Sequence, residues 1–271
     1  MWEHVVSFSD ICSLIAFFAY AVATSAMLLR LFHPKGPNLI FVLFFGCLAM
    51  VLHTLSNAQF LMAQADINFA LPNVISLVSL IICLSISAFA LRFKVNLLLP
   101  VIYGFAGIWQ LLMVFIPSVE QAPLINHQLS VISHVTLALL SYCTLVIATL
   151  YAFQVAYINF KLKAKNLAAV SHLPPLMQVE GQLFIILSIG TSFLLLSQVI
   201  GFLFLGGMIS HENVHKTVLS ILALLIYSTT LWGHYNRGWR GHRVLILMVT
   251  GSALLTLAYF GSRFVKEFIL L

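Results

Sequence analysis

The stretch SHVTLALLSYCTLVIATLYAFQ (133–154) contains no Asp, Glu, Lys or Arg. About twenty apolar residues, each rising 1.5 Å, cross a hydrocarbon core of roughly 30 Å. The run therefore predicts a membrane-spanning helix. Its polar groups are mostly small hydroxyls, and its single imidazole is His134. Ala148, Ala152 and Ala156 recur at four-residue spacing, a small-residue stripe that lets another helix approach closely.

The same ruler applied outward predicts helices near 9–31, 38–64, 72–91, 97–117, 126–159, 182–208, 214–235 and 243–270. Prolines punctuate them: Pro34 and Pro37 before the second, Pro72 opening the third, Pro123 before the fifth, Pro174 and Pro175 before the sixth. Pro100 sits in the first turn of the fourth, where a missing N–H does least harm. Composition agrees, since 62% of the 271 residues are hydrophobic and 7% are charged. A soluble domain carries roughly 25% charged residues, so lipid must cover most of this surface. The expectation is an all-α, polytopic transmembrane bundle of about eight helices, a single domain over 1–271 with short loops. The run 11–29 is preceded by Glu3 and Asp10 and by no Lys or Arg, unlike a signal peptide, and is taken as the first helix.

Charge sets the expected orientation. Arg30, Lys35, Arg92, Lys94, Lys161, Lys163, Lys165, Arg237, Arg240 and Arg243 make ten of the thirteen basic residues, and all fall on one side of the bundle. Excess Lys and Arg marks cytoplasmic loops, which places both termini outside, on the periplasmic side. The net charge of +6 then reflects anionic lipid and not nucleic acid. Cys12, Cys47, Cys83 and Cys143 lie far apart in apolar runs, with no CxxC. They read as packing residues.

Ionisable groups at membrane depth are the first places to look for function. All seven acids, Glu180 included, are expected in loops or at helix ends, so no midplane carboxylate supports a cation pump or channel. No nucleophile–base pair is recognisable, which argues against an enzyme. Of ten histidines, only His53 and His134 fall well inside the predicted helices. By helical rise they lie roughly 16 and 12 Å from the outer ends of helices 2 and 5. Two facing imidazoles at that depth suit the axial positions of a haem iron. From the residues alone, hydrogen bonds to neighbouring helices are the plainer explanation of both. His211 and His215, four apart, lack the Glu and the third ligand of a metal site. The segment WGHYNRGWRGHR (232–243) reads first as an interfacial anchor and tight inner turn, and second as a cationic cradle for headgroups, propionates or a protein.

The run 133–154, the turn GWRGHR (238–243), LPPLMQVE (173–180), LWGHYNRGWRGHR (231–243) and LTLAYFGSRFV (255–265) resemble the cytochrome c assembly family of haem-handling membrane proteins, in particular its HemX-like branch. The resemblance implies a bacterial inner-membrane location and a haem cofactor or cargo. It implies His134, at the outer end of the HVxLALLSY-type helix, and His53 as axial ligands of the haem iron. The family's haem-delivering members also carry a tryptophan-rich WWD loop. The loop at 206–216 here has no tryptophan, so full cytochrome c synthase activity is not implied. A second reading is a non-enzymatic accessory or regulatory subunit acting by contact with another membrane protein, such as an ion-transport system.

Overall fold

A computed structural model describes residues 7–32, 37–62, 71–92, 98–116, 129–165, 175–205 and 214–261. Among these, eight helices follow one another: α1 Phe8–Phe32, α2 Leu39–Met62, α3 Leu71–Ala90, α4 Leu98–Met113, α5 Leu129–Lys163, α6 Leu176–Phe204, α7 Val214–Arg237 and α8 His242–Thr256. The last runs into a π-helical turn, Leu257–Gly261. Seven of the helices are long and apolar enough to cross a membrane, and α4 is apolar but spans 16 residues. The architecture is thus the polytopic helical bundle expected. Lys35, Lys94, Glu3, Asp66, Glu120, His211, Glu212, Arg263, Lys266 and Glu267 lie outside the described residues.

The helices gather into two compact units, Met1–Ile125 and Asn126–Leu271. In the first, α1 packs on α2 and α4, and α3 packs on α2 and α4. Arg30 at the end of α1 donates to the carbonyl of Pro37 at 3.0 Å, which fixes the entry to α2. The Trp109 indole on α4 donates to the carbonyl of Pro72 at 3.2 Å, tying α4 to the first turn of α3. The core holds small residues and tyrosines, with Ala16, Ala23, Tyr20 and Tyr103 fully buried.

In the second unit α5 and α6 run antiparallel in close contact. His134 meets Ser197 and Ser141 meets Gly190, so residue numbers fall on α6 as they rise on α5. Gly190 has to be glycine there, because a Cβ would sit 2.8 Å from Leu145 Cγ. Ala148 and Ala152 are buried on the same helix, as the small-residue stripe predicts. On the other side α7 and α8 pack together, and α8 also meets α5. The Tyr142 hydroxyl lies 3.1 Å from Thr256 Oγ1, and its ring packs against Tyr259 and Phe260 in the π turn.

One boundary departs from the sequence expectation in a way that matters. Helix α6 begins at Leu176, directly after Pro175, and not near 182. Pro175 lacks an N–H but keeps a carbonyl, which accepts from Gln178 and Val179 N–H at 3.0 and 3.2 Å and so starts the helix. Glu180 consequently sits inside the second turn, buried, with Arg240 Nε 3.5 Å from its carboxylate. The acid expected at a helix end is carried into the helix because an arginine from the α7–α8 turn meets it there.

Candidate functional site

His53 is fully buried in the first unit. An unpartnered polar group in an apolar interior costs several kcal/mol, and both ring nitrogens have partners. Nδ1 lies 3.2 Å from the Tyr20 hydroxyl on α1, and Nε2 lies 3.0 Å from Ser76 Oγ on α3. Ser76 is the hub of the cluster. Its hydroxyl donates to Asn57 Oδ1 at 2.6 Å and accepts from Gln110 Nε2 at 2.9 Å. A serine has one proton to give. With that proton on Asn57, the bond to His53 must run from Nε2–H to Ser76, and Tyr20 must donate to the bare Nδ1. His53 is therefore held by α1 and α3, with α4 joined through Gln110.

His134 is arranged differently. It stands five residues into the described part of α5, about 8 Å along the axis, and is half-buried. Its Nδ1 lies 2.8 Å from the backbone carbonyl of Ser197, which can only accept, so Nδ1 carries the proton. The Ser197 hydroxyl donates in return to the carbonyl of His134 at 3.1 Å. This reciprocal clasp orients the ring and puts the lone pair on Nε2, which meets no hydrogen-bond partner among the described residues. Metal-binding histidines are usually prepared in this way, with the second nitrogen donating to a carbonyl or carboxylate. The two histidines belong to different units.

The turn between α7 and α8 resolves into separate contacts. Arg237 stacks over Trp232 with its guanidinium carbon 4.9 Å from the ring centroid, while Arg240 turns to Glu180. Trp239 is half-buried and lies over Gly233, where any side chain would overlap the indole. Its backbone N–H donates to the Gly233 carbonyl at 3.0 Å, and its carbonyl lies 3.2 Å from His234 Nδ1. The arginines thus engage different neighbours and the tryptophan fills a gap, as befits an anchor that closes the α7–α8 turn. His215 is exposed at the start of α7. No group of three or more His, Cys, Asp or Glu is placed to hold a metal ion among the described residues.

The family described as Cytochrome C assembly protein matches residues 41–270. The chain belongs to the cytochrome c assembly family. It is 39% identical over 259 residues to the inner membrane protein YpjD of Escherichia coli K12, covering 95% of this chain and 98% of that one. YpjD of the O6:H1 and O157:H7 strains of Escherichia coli match with the same identity and coverage. No solved structure matches. Membership of this family, likeness to inner membrane proteins and seven helices of spanning length make the chain a multi-pass inner-membrane protein. Both histidines singled out in the sequence fall within the part that the cytochrome c assembly family matches. The residues that a search for ionisable groups passes over are their partners: Tyr20, Asn57, Ser76, Gln110 and Ser197. Asn57 and Gln110 carried a signal of their own, being amides inside apolar helices.

Proposed function

We propose that this chain is a non-enzymatic, haem-handling protein of the inner membrane. In this reading it is a single transmembrane domain with both termini outside, and it binds haem, or holds it in passage, in the outer half of the bilayer. His134 supplies an axial ligand through Nε2. The observation that carries the reading is the 2.8 Å bond from His134 Nδ1 to the Ser197 carbonyl, which fixes the tautomer and puts the lone pair on Nε2. Family membership supplies the cargo class. Haem, when bound, offers iron whose axial positions accept imidazole nitrogen. Ser197 orients the imidazole, and the small residues of the α5–α6 contact hold the two helices at a fixed distance.

His53, the other ligand that the resemblance implies, has both nitrogens engaged by hydroxyls and stands outside the haem site proposed here. Haem titration of the purified chain in nanodiscs tests the reading. The wild type should develop a Soret band at a stoichiometry near one, and His134→Gln, which keeps a donor for the Ser197 carbonyl, should fold but lose most of that band. If the wild type gave no Soret band, the accessory-subunit reading would replace this one.

A further inference from the structure

The contrast between the two histidines goes further than their hydrogen-bond partners. His134 Nδ1 meets the Ser197 carbonyl at 2.8 Å, which can only accept, with the Ser197 hydroxyl beside it at 3.2 Å, and the lone pair falls on Nε2. His53 meets a hydroxyl at each nitrogen, and one of those hydroxyls has its only proton committed elsewhere.

We propose that Ser76, braced by Asn57 and Gln110, is a positioning residue that locks His53 in the Nε2–H tautomer and withholds it from metal. The inference rests on the haem reading for its consequence, but the lock itself is independent of haem. Two features support it. Ser76 is fully buried, so no solvent competes for its hydroxyl. Its oxygen accepts from His53 Nε2–H and from Gln110 Nε2–H while its proton goes to Asn57 Oδ1, which fills the donor and both acceptor places of a hydroxyl.

The consequence for His53 is specific. With Nε2 protonated, the lone pair is on Nδ1, and Tyr20 caps it with a hydroxyl proton. Tyr20 is itself fully buried, against Tyr103, so it has little room to swing away. Ligation of iron by His53 then requires a tautomer change at Ser76 or a movement of Tyr20. Without the Ser76 side chain, Nε2 loses its hydroxyl acceptor. The proton moves to Nδ1, where the Tyr20 oxygen accepts it, and Nε2 becomes a free ligand. Ser76 thereby decides whether the chain offers one histidine or two.

Two measurements on the full chain in nanodiscs test this. The first is ¹⁵N NMR of histidine-labelled protein, with the His53 signals assigned by their loss in His53→Gln. Wild type should show His53 neutral, protonated at Nε2 and with bare Nδ1; Ser76→Ala should move the proton to Nδ1. A wild-type His53 protonated at Nδ1, or unchanged signals in Ser76→Ala, would overturn the lock. The second is haem titration. Wild type and His53→Gln should bind haem alike, whereas Ser76→Ala should bind about twice as much haem, the extra share at the freed His53. That gain should vanish in the Ser76→Ala, His53→Gln double variant. Loss of haem binding in His53→Gln alone would show that His53 is already available and would sink the proposal. Absence of a Soret band in every variant would remove the haem reading, while the NMR result would still decide the lock.

Discussion

At position 197 a serine meets an imidazole through its backbone carbonyl, and at position 76 another does so through its hydroxyl. The carbonyl has no proton to give, so it dictates the tautomer of His134 unaided; the hydroxyl dictates that of His53 only because Asn57 takes its proton. Ser197→Ala removes the return bond to the His134 carbonyl and the hydroxyl's own 3.2 Å contact with Nδ1, and leaves the 2.8 Å carbonyl bond in place. It should cost about 1 kcal/mol, read as a small fall in thermal midpoint, and leave haem binding intact. A Ser197→Ala protein that folded normally but bound no haem would show that the hydroxyl, and not the carbonyl, prepares the ring. At the inner end, Glu180 is buried and Arg240 is more than half exposed. Glu180→Gln takes away a charge that is poorly solvated and should change stability by less than about 0.5 kcal/mol. Arg240→Met strands the carboxylate and should be the worse of the two, by about 1–2 kcal/mol. Thermal melts in detergent that ranked the two the other way would contradict the buried-pair account.

Among the elements, α5 and α6 depend on one close approach. Gly190→Val would force a branched side chain onto Leu145 and Thr144, separating the helices at the level of Ser141. Overpacking of this kind costs about 1–3 kcal/mol, and because His134 and Ser197 lie on the same pair of helices, the variant should also weaken haem binding. Unaltered stability with unaltered binding would mean that the α5–α6 contact is softer than its geometry states. Helices of this length are readable from sequence because each is a run of apolar residues, several with a proline at an end, and a span is mainly a matter of length. The start of α6 was not readable in the same way. LMQVEG (176–181) contains an acid and a glycine, which look like loop; it is helical because Pro175 offers its carbonyl and Arg240 reaches the acid. His53 and His134 stood out as imidazoles inside apolar helices. Their partners did not, because which residues of α1, α3 and α4 converge on α2 is decided by packing across the unit, and no spacing along one helix records it.

For the molecule as a whole, the proposed direction of insertion and the proposed cargo are linked, since both place His134 toward the outer face. Reporter fusions at Ser7 and Val214 should be active outside, and fusions at Lys163 and Asn236 inside, as the ten basic residues on one side require. A cytoplasmic signal from the Val214 fusion would invert the position of both histidines. His53 is fully buried in the first unit with both nitrogens met by hydroxyls, and His134 is half-buried in the second with its Nδ1 on a carbonyl. The most direct measurement of that account is the optical spectrum of the chain purified from haem-replete cells, beside His134→Gln prepared identically. An intense Soret band that is present in the wild type, unaffected by His53→Gln and nearly gone in a folded His134→Gln is the result this account predicts. A wild type without the band, or a band that His134→Gln leaves at full intensity, would contradict it.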